Sequence, residues 1–315
     1  MGHSNRLPEP HPLDYDWRFD PQTIKQLVAL LAGQQRVLCI GAPSIARCLE
    51  ALGQDSVLVD RQPFQSVRGQ IVEEPGSEGS AIDGASCAIV DPPWYPDYVL
   101  RWAAYAGQVV GVGNNVLVSI WPIGTRPGES DEFQRVLDTL ADWATVSEVS
   151  IQLNYEKPTF ERQATNVALS APLSSSPRKG RLLDLHVRAL PKMPDWKRRR
   201  QQWIRFVLDD YQLALKLECA PSIRDLLLPH PNACGWIWPF VSNRAPGRSA
   251  INLWSSHNEV AIVGDPHRLF LSLQRAFVVH DQMAFGAKLV DFPELLEWGI
   301  PRPPYRRFIE WRHLQ

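Results

Sequence analysis

Three short apolar runs in the first third of the chain, each stopped abruptly by turn residues, constrain the fold most strongly. Arg36 to Ile40 runs into Gly41-Ala42-Pro43-Ser44, and a helix from Ile45 to Leu52 follows, closed by Gly53. Ser56 to Val59 ends on Asp60, and Ser86 to Val90 ends on Asp91-Pro92-Pro93-Trp94. Runs of this length, bounded by Gly, Pro and Asp, read as buried strands, and helical spacing recurs between them. Strands alternating with helices imply an α/β domain on a mostly parallel sheet.

The flanking segments extend the pattern. Asp20-Pro21 is a helix start, an acidic cap followed by Pro at the first helical position, and Gly33 ends that helix. Residues 73–84 are acidic and rich in Gly and Ser, which predicts a loop. A helix is expected from Pro96 to Ala106, a strand from Val116 to Trp121 and an amphipathic helix from Asp131 to Ala144. Thr145 to Leu153 and Phe160 to Leu169 read as two antiparallel strands, and Ser170 to Arg181 as a linker. Beyond it, a long helix is expected over Trp196 to Glu218, a strand meander over 235–263 and a helix over Pro266 to Val279. The expected organisation is a first domain over residues 20–170 and a smaller α+β domain over residues 183–315, where Trp236, Trp238 and Trp254 read as core.

Composition narrows the classes. An apolar fraction of 44% with 21% charged residues supports a packed core and excludes a disordered chain. No run of apolar residues is long enough to cross a bilayer. The polar stretch up to Asp20 reads as neither a signal nor a transit peptide, so a cytoplasmic protein is expected. The five cysteines form no Cys-x-x-Cys pair and the histidines no metal-binding spacing, so neither a disulfide framework nor a metal is expected. Residues 151–200 carry 11 Lys and Arg against 4 Asp and Glu, whereas residues 1–150 carry 10 against 19. Basic charge is thus concentrated in one segment.

In an open parallel sheet, ligands bind at the carboxyl ends of the strands where the strand order reverses. All three runs would then face one crevice. Gly41 permits close backbone approach, and Asp60 can take both hydroxyls of a ribose, which describes a site for a nucleoside cofactor. Asp91 supplies a carboxylate acceptor and the Pro92 carbonyl a second one, with Pro93 fixing the turn. Two acceptors can hold both hydrogens of an amine and leave its lone pair aimed at an electrophile. Trp94 offers a flat face for a base.

These stretches resemble the class I S-adenosylmethionine-dependent methyltransferases that act on amino nitrogens, in particular the N6-adenine methyltransferase family. That family carries an Asp-Pro-Pro-aromatic motif and includes elongation factor lysine methyltransferases. The resemblance lies in Val37 to Ser44, Leu58 to Asp60, Ala88 to Trp94, and Tyr155 through Phe160-Glu161, and spans roughly residues 20–170. It implies a Rossmann-like sheet and S-adenosyl-L-methionine as cofactor, held at Cys39, Gly41, Ala42, Pro43, Ser44 and Asp60. It further implies amine binding at Asp91, Pro92, Pro93 and Trp94, with Tyr95, Tyr155 and Phe160 at the acceptor. The usual cofactor turn of that family is Gly-x-Gly; Gly41-Ala42-Pro43 departs from it, and Pro43 lacks an N–H.

The acceptor class stays open at this level. Lys197-Arg198-Arg199-Arg200, interleaved with Trp196 and Trp203, can grip nucleic acid (RNA or DNA), and is equally a solvated helix face. The acidic first domain also suits a basic protein substrate, as for a protein-lysine methyltransferase. A catalytically inactive binding module is the third reading. Tyr155 and Phe160 read as core residues as readily as pocket walls.

Overall fold

The structure is a computed structural model of the 315-residue chain. The residues it describes are 7, 9–14, 17–62, 64, 67–76, 82, 84–124, 128–169, 178–195, 203–208, 211–217, 227–242, 244–278, 295, 297–298 and 308–311. They fall into two compact units, one of residues 1–5, 16–157 and 176–197, the other of residues 6–15, 158–175 and 198–315.

The first unit runs α1 (Pro21–Leu30), β1 (Val37–Ile40), α2 (Pro43–Ala51), β2 (Ser56–Asp60), β3 (Gln70–Val72), β4 (Cys87–Val90), α3 (Pro96–Val110), β5 (Asn115–Ile120), α4 (Glu129–Ala141), β6 (Ala144–Tyr155) and β7 (Arg178–Val187). The seven strands form one sheet in the order β3-β2-β1-β4-β5-β7-β6. β1, β2, β3, β4 and β5 pair in parallel, and β7 is antiparallel to both β5 and β6. β1 is a continuous apolar run because helices cover both faces of the sheet. Leu38 and Ile40 share a core with Val59, Val90, Val118 and the α3 residues Val99, Trp102 and Ala103. Cys39, Leu58 and Ile89 are also wholly buried, as are Leu27 and Leu31 of the α1 region and Ile45 and Leu49 of α2. α1 starts as expected, with the Asp20 carboxylate accepting the Thr23 N–H at 2.7 Å.

The expected second hairpin strand is not a strand. Residues 159–169 form α5 (Thr159–Leu169), which is grouped with the second unit. Phe160 and Ala164 are buried four residues apart, a helical spacing, and the Glu161 and Arg162 N–H groups both donate to the Pro158 carbonyl. The true partner of β6 is β7, whose first residues lie inside the segment read as a linker.

The second unit carries a five-stranded antiparallel sheet, β11-β10-β9-β8-β12. Its strands are β8 (Trp203–Leu208), β9 (Tyr211–Lys216), β10 (Leu253–Ser255), β11 (Val260–Ala261) and β12 (Phe308–Trp311), with α6 (Pro266–Val278) packed on β9. The long helix expected over 196–218 is therefore a hairpin over its described part. Trp, Ile, Phe, Val and Tyr favour a pleated, half-buried surface, and every residue of β9 is buried. Trp238 and Trp254 are core, as expected, whereas Trp236 is half-buried.

The N-terminal segment is stitched into this unit. Arg205 pairs with both Asp14 oxygens at 2.8 and 2.9 Å. The Glu9 carboxylate meets His257 Nε2 at 3.2 Å and accepts from the Thr159 hydroxyl. His11 is fully buried; its Nδ1 accepts the Leu13 N–H at 3.1 Å, so Nε2–H donates to the Trp254 carbonyl. Both nitrogens are committed to the neutral ring, and burial, helped by Arg205, holds its pKa well below the usual histidine value.

A group whose folded pKa is depressed stabilises the fold above its unfolded pKa and loses that contribution as pH falls. Unfolding free energy should therefore drop below about pH 6.5, by up to roughly 1.4 kcal/mol per pH unit for this one group. Denaturant melts at pH 7 and 5.5 should show a smaller drop for His11→Gln than for the native chain. Equal drops would rule His11 out as the source.

Candidate active site

Parallel pairing brings the three strand ends to one level. β1 lies between β2 and β4, with Ile40 opposite Val59 on one side and Val90 on the other. The next residues on these strands are Gly41, Asp60 and Asp91. The pairing carries past the strand ends: Gly41 N–H donates to Val59 O at 3.0 Å and Asp91 N–H to Ile40 O at 2.9 Å. Gly41 sits at φ +64°, and a Cβ there would lie 2.7 Å from the Asp91 carbonyl oxygen and 2.5 Å from the Trp102 ring. Only glycine fits this approach.

On the β2 side, the half-buried Asp60 side chain accepts the Gln62 N–H at 2.8 Å. Its neighbour Arg61 pairs with Glu74 at 3.5 Å, and Glu74 also accepts from the Trp102 indole at 3.4 Å. Glu73 accepts from the Tyr105 hydroxyl at 3.3 Å; burial and the Glu73 charge push that hydroxyl's pKa up. On the β1 side, Cys39 is wholly buried inside the strand, and burial pushes its thiol far above the usual range. Its side chain is core, so any cofactor contact there falls to its backbone. Ala42 and Pro43 are buried and Ser44 half-buried, and α2 begins at Pro43 without a side-chain cap.

Asp91 is gripped from behind. Its Oδ1 accepts the Tyr155 hydroxyl at 2.8 Å and the Ser119 hydroxyl at short range. Both donors are buried, Ser119 completely. Burial, reinforced by the Asp91 charge, drives the Tyr155 pKa well above its ordinary value, so Tyr155 stays a donor. Hydrogen bonds to a charged group are worth about 1.5–3 kcal/mol each. The Pro93 carbonyl is taken up by the Tyr95 N–H at 2.6 Å, which tightens the turn into α3. Tyr95 then faces Tyr98, with ring centroids 6.5 Å apart.

Trp94 meets Tyr155 edge-on, centroids 5.3 Å apart. The Arg178 guanidinium lies 5.0 Å from the Trp94 ring centroid and 4.3 Å from that of Trp17. Gly180 passes close beneath; a Cβ there would come within 3.0 Å of Tyr155 and 3.1 Å of Trp94. These residues reach the site because β7 is antiparallel: it starts at the sheet edge where the parallel strands end. Tyr155 and Arg178 are directly paired. Trp17 is placed by the segment beside β6, where Phe19 bridges Tyr155.

Ser119, Arg178, Trp17 and Gly180 escaped the sequence reading. Ser119 left a trace, as the one hydroxyl inside Val116 to Trp121. Phe160, which the resemblance puts beside Tyr155 at the acceptor, sits buried on α5 in the second unit, its carbonyl accepting from Asn258. Lys197, Arg198, Arg199 and Arg200 lie outside the described residues. Among the described residues, no group of three or more His, Cys, Asp or Glu is placed to hold a metal ion, and no helix is long and apolar enough to cross a membrane.

No protein-family model and no curated protein matches the chain. Solved structures do resemble it. One is a mutein of the branched-chain polyamine synthase of Thermus thermophilus, in complex with N4-aminopropylspermidine and 5'-methylthioadenosine: 17% identity, 60% of this chain and 64% of that one, TM-score 0.47. Another is the T. thermophilus 16S rRNA N2 G1207 methyltransferase with AdoMet and guanosine: 13% identity, 70% and 55% coverage, TM-score 0.36. A third is the 16S rRNA (adenine(1408)-N(1))-methyltransferase of Catenulisporales acidiphilia: 16% identity, 55% and 95% coverage, TM-score 0.33. The matched region spans less than two thirds of the first two proteins. The expected α/β fold class holds: the first unit has a seven-stranded, mostly parallel sheet, and the second has a smaller antiparallel sheet.

Gly41→Ala should cost about 1–3 kcal/mol, because both Trp102 and the Asp91 backbone must give way. Thermal and denaturant melts check this; a neutral substitution would mean the two strand tips are not in contact.

Proposed function

We propose that this chain transfers a methyl group from S-adenosyl-L-methionine to an amino nitrogen, the N6 amine of an adenine in nucleic acid. The observation that carries the reading is the Asp91 carboxylate, held by two buried hydroxyls at the strand tip beside Gly41 and Asp60. The cofactor residues fit. An acidic side chain ends β2, where ribose hydroxyls need an acceptor, and the β1 turn leads into a helix with no side-chain cap. Gly41, Ala42, Pro43, Ser44 and Asp60 would hold the cofactor, which supplies a methyl group on a positively charged sulfur.

The chain's own part is to orient and to stabilise charge. Asp91 and the Pro92 carbonyl accept the two amine hydrogens, which turns the nitrogen lone pair away from both. As the nitrogen–carbon bond forms and the carbon–sulfur bond breaks, positive charge develops on nitrogen, and the Asp91 carboxylate opposes it. The carbon–sulfur electron pair stays with the departing sulfur as a neutral thioether, and the nitrogen's proton passes to water, which restores the neutral amine. Orientation of this kind lowers barriers by removing entropy in advance, by as much as about 7–11 kcal/mol in the best cases. An adenine in a duplex must first be extruded from the stack.

Incubation with labelled cofactor and adenine-containing RNA or DNA should give methylated product, with the rate cut about 100- to 1,000-fold in Asp91→Ala. Label found on protein lysine instead would make this a lysine methyltransferase. Tyr155→Phe removes a donor that favours the ionised carboxylate. The acid limb of the pH–rate profile should therefore move to higher pH. An unmoved limb would separate Tyr155 from Asp91.

A further inference from the structure

The stack of Trp17, Arg178 and Trp94 does more than wall the acceptor site. Arg178 is half-buried, with its guanidinium 4.3 Å from one indole centroid and 5.0 Å from the other. A cation between two indoles is held electrostatically by both rings. The guanidinium carries its donors in its own plane, and phosphate oxygens match that fork geometry. Trp94 belongs to the Asp91-Pro92-Pro93-Trp94 turn, and Tyr155, which donates to Asp91, is Arg178's direct partner across the strand pair. The stack and the proposed amine-binding carboxylate therefore share one strand edge.

This arrangement is selective. A planar base has a face for an indole, and the phosphate of the same nucleotide has a counter-charge in Arg178. A lysine side chain has neither, and its ammonium would meet the positive charge held over the Trp94 ring. We propose that Trp17, Arg178 and Trp94 form the acceptor-recognition element, that it takes a single-stranded nucleotide unit with its phosphate on Arg178, and that it disfavours lysine. The proposal rests on the acceptor site assigned above and names what enters it.

The test is fluorescence anisotropy of the full chain with labelled single-stranded adenine-containing RNA and DNA 12-mers, over a series of salt concentrations. A lysine-containing peptide of equal length is the comparator. Arg178→Ala should weaken oligonucleotide binding about tenfold and flatten the log–log salt slope by about 0.7, the loss of one phosphate contact. Arg178→Lys should keep the slope while binding several-fold more weakly, because it keeps the charge and loses the stack. Trp17→Ala should weaken binding with the slope unchanged. Thermal melts of each variant identify any that is unfolded, and Arg178→Lys then decides alone. Native affinity and slope in Arg178→Ala, or tighter native binding to the peptide than to either oligonucleotide, would overturn the proposal. Arg178-dependent binding without methyl transfer would sink the methyltransferase reading and leave this one standing. Methyl transfer to the peptide, undiminished in Arg178→Ala, would do the reverse.

Discussion

The site depends on a backbone contact that leaves no room for a side chain. β1 and β4 are neighbours in a parallel sheet, and their turns leave the sheet at the same level. Gly41 and the Asp91 carbonyl then lie so close that a single Cβ at Gly41 would collide. Parallel pairing sets this proximity, and the left-handed conformation of Gly41 allows the chain to turn at once into α2. Everything proposed for the crevice, the acidic tip of β2 on one side and the Asp-Pro-Pro-Trp turn on the other, follows from that junction.

The other half of the site comes from the one reversed strand. β7 runs antiparallel between β5 and β6, so its first residues, and not its last, lie where the parallel strands end. It brings Arg178 beside Trp94 and leaves Gly180 bare, where Tyr155 and Trp94 need the space. β5 and β6 supply the hydroxyls of Ser119 and Tyr155, and a half-buried carboxylate is thereby paid for by two fixed donors. Fixed dipoles of this kind need no rearrangement when charge changes at the carboxylate.

The parts of the fold legible in the sequence are those where apolar runs meet strong punctuation. β1, β2 and β4 each end in Gly, Asp or Pro, and Asp20-Pro21 marks the start of α1. Those same punctuation residues are the candidate site, which is why Gly41, Asp60 and Asp91 could be named. β7 is hidden because it opens on Arg178-Lys179-Gly180-Arg181, a polar start that local patterning assigns to a loop; in the structure those residues begin a strand, with Arg178 over the Trp94 ring. β8 and β9 are hidden for the opposite reason. Arg205, Gln212 and Lys216 look like a solvent face, yet all three are buried, with Asp14, Glu9 and Ser249 as their partners. Those partners lie far away in the chain, beyond the reach of any window-based pattern. Ser119 shows the same limit on a smaller scale, since its use is visible only once Asp91 stands beside it.

The proposed transfer requires the tips of β1 and β2 to bind a nucleoside bearing a sulfonium. Isothermal titration calorimetry of the native chain with S-adenosyl-L-methionine, repeated with Asp60→Ala, addresses it without any acceptor. Binding should be saturable at one equivalent and weakened tenfold or more (about 1.4 kcal/mol) when the Asp60 carboxylate is removed. Absence of heat together with an unchanged melting temperature, or native affinity in Asp60→Ala, would contradict it.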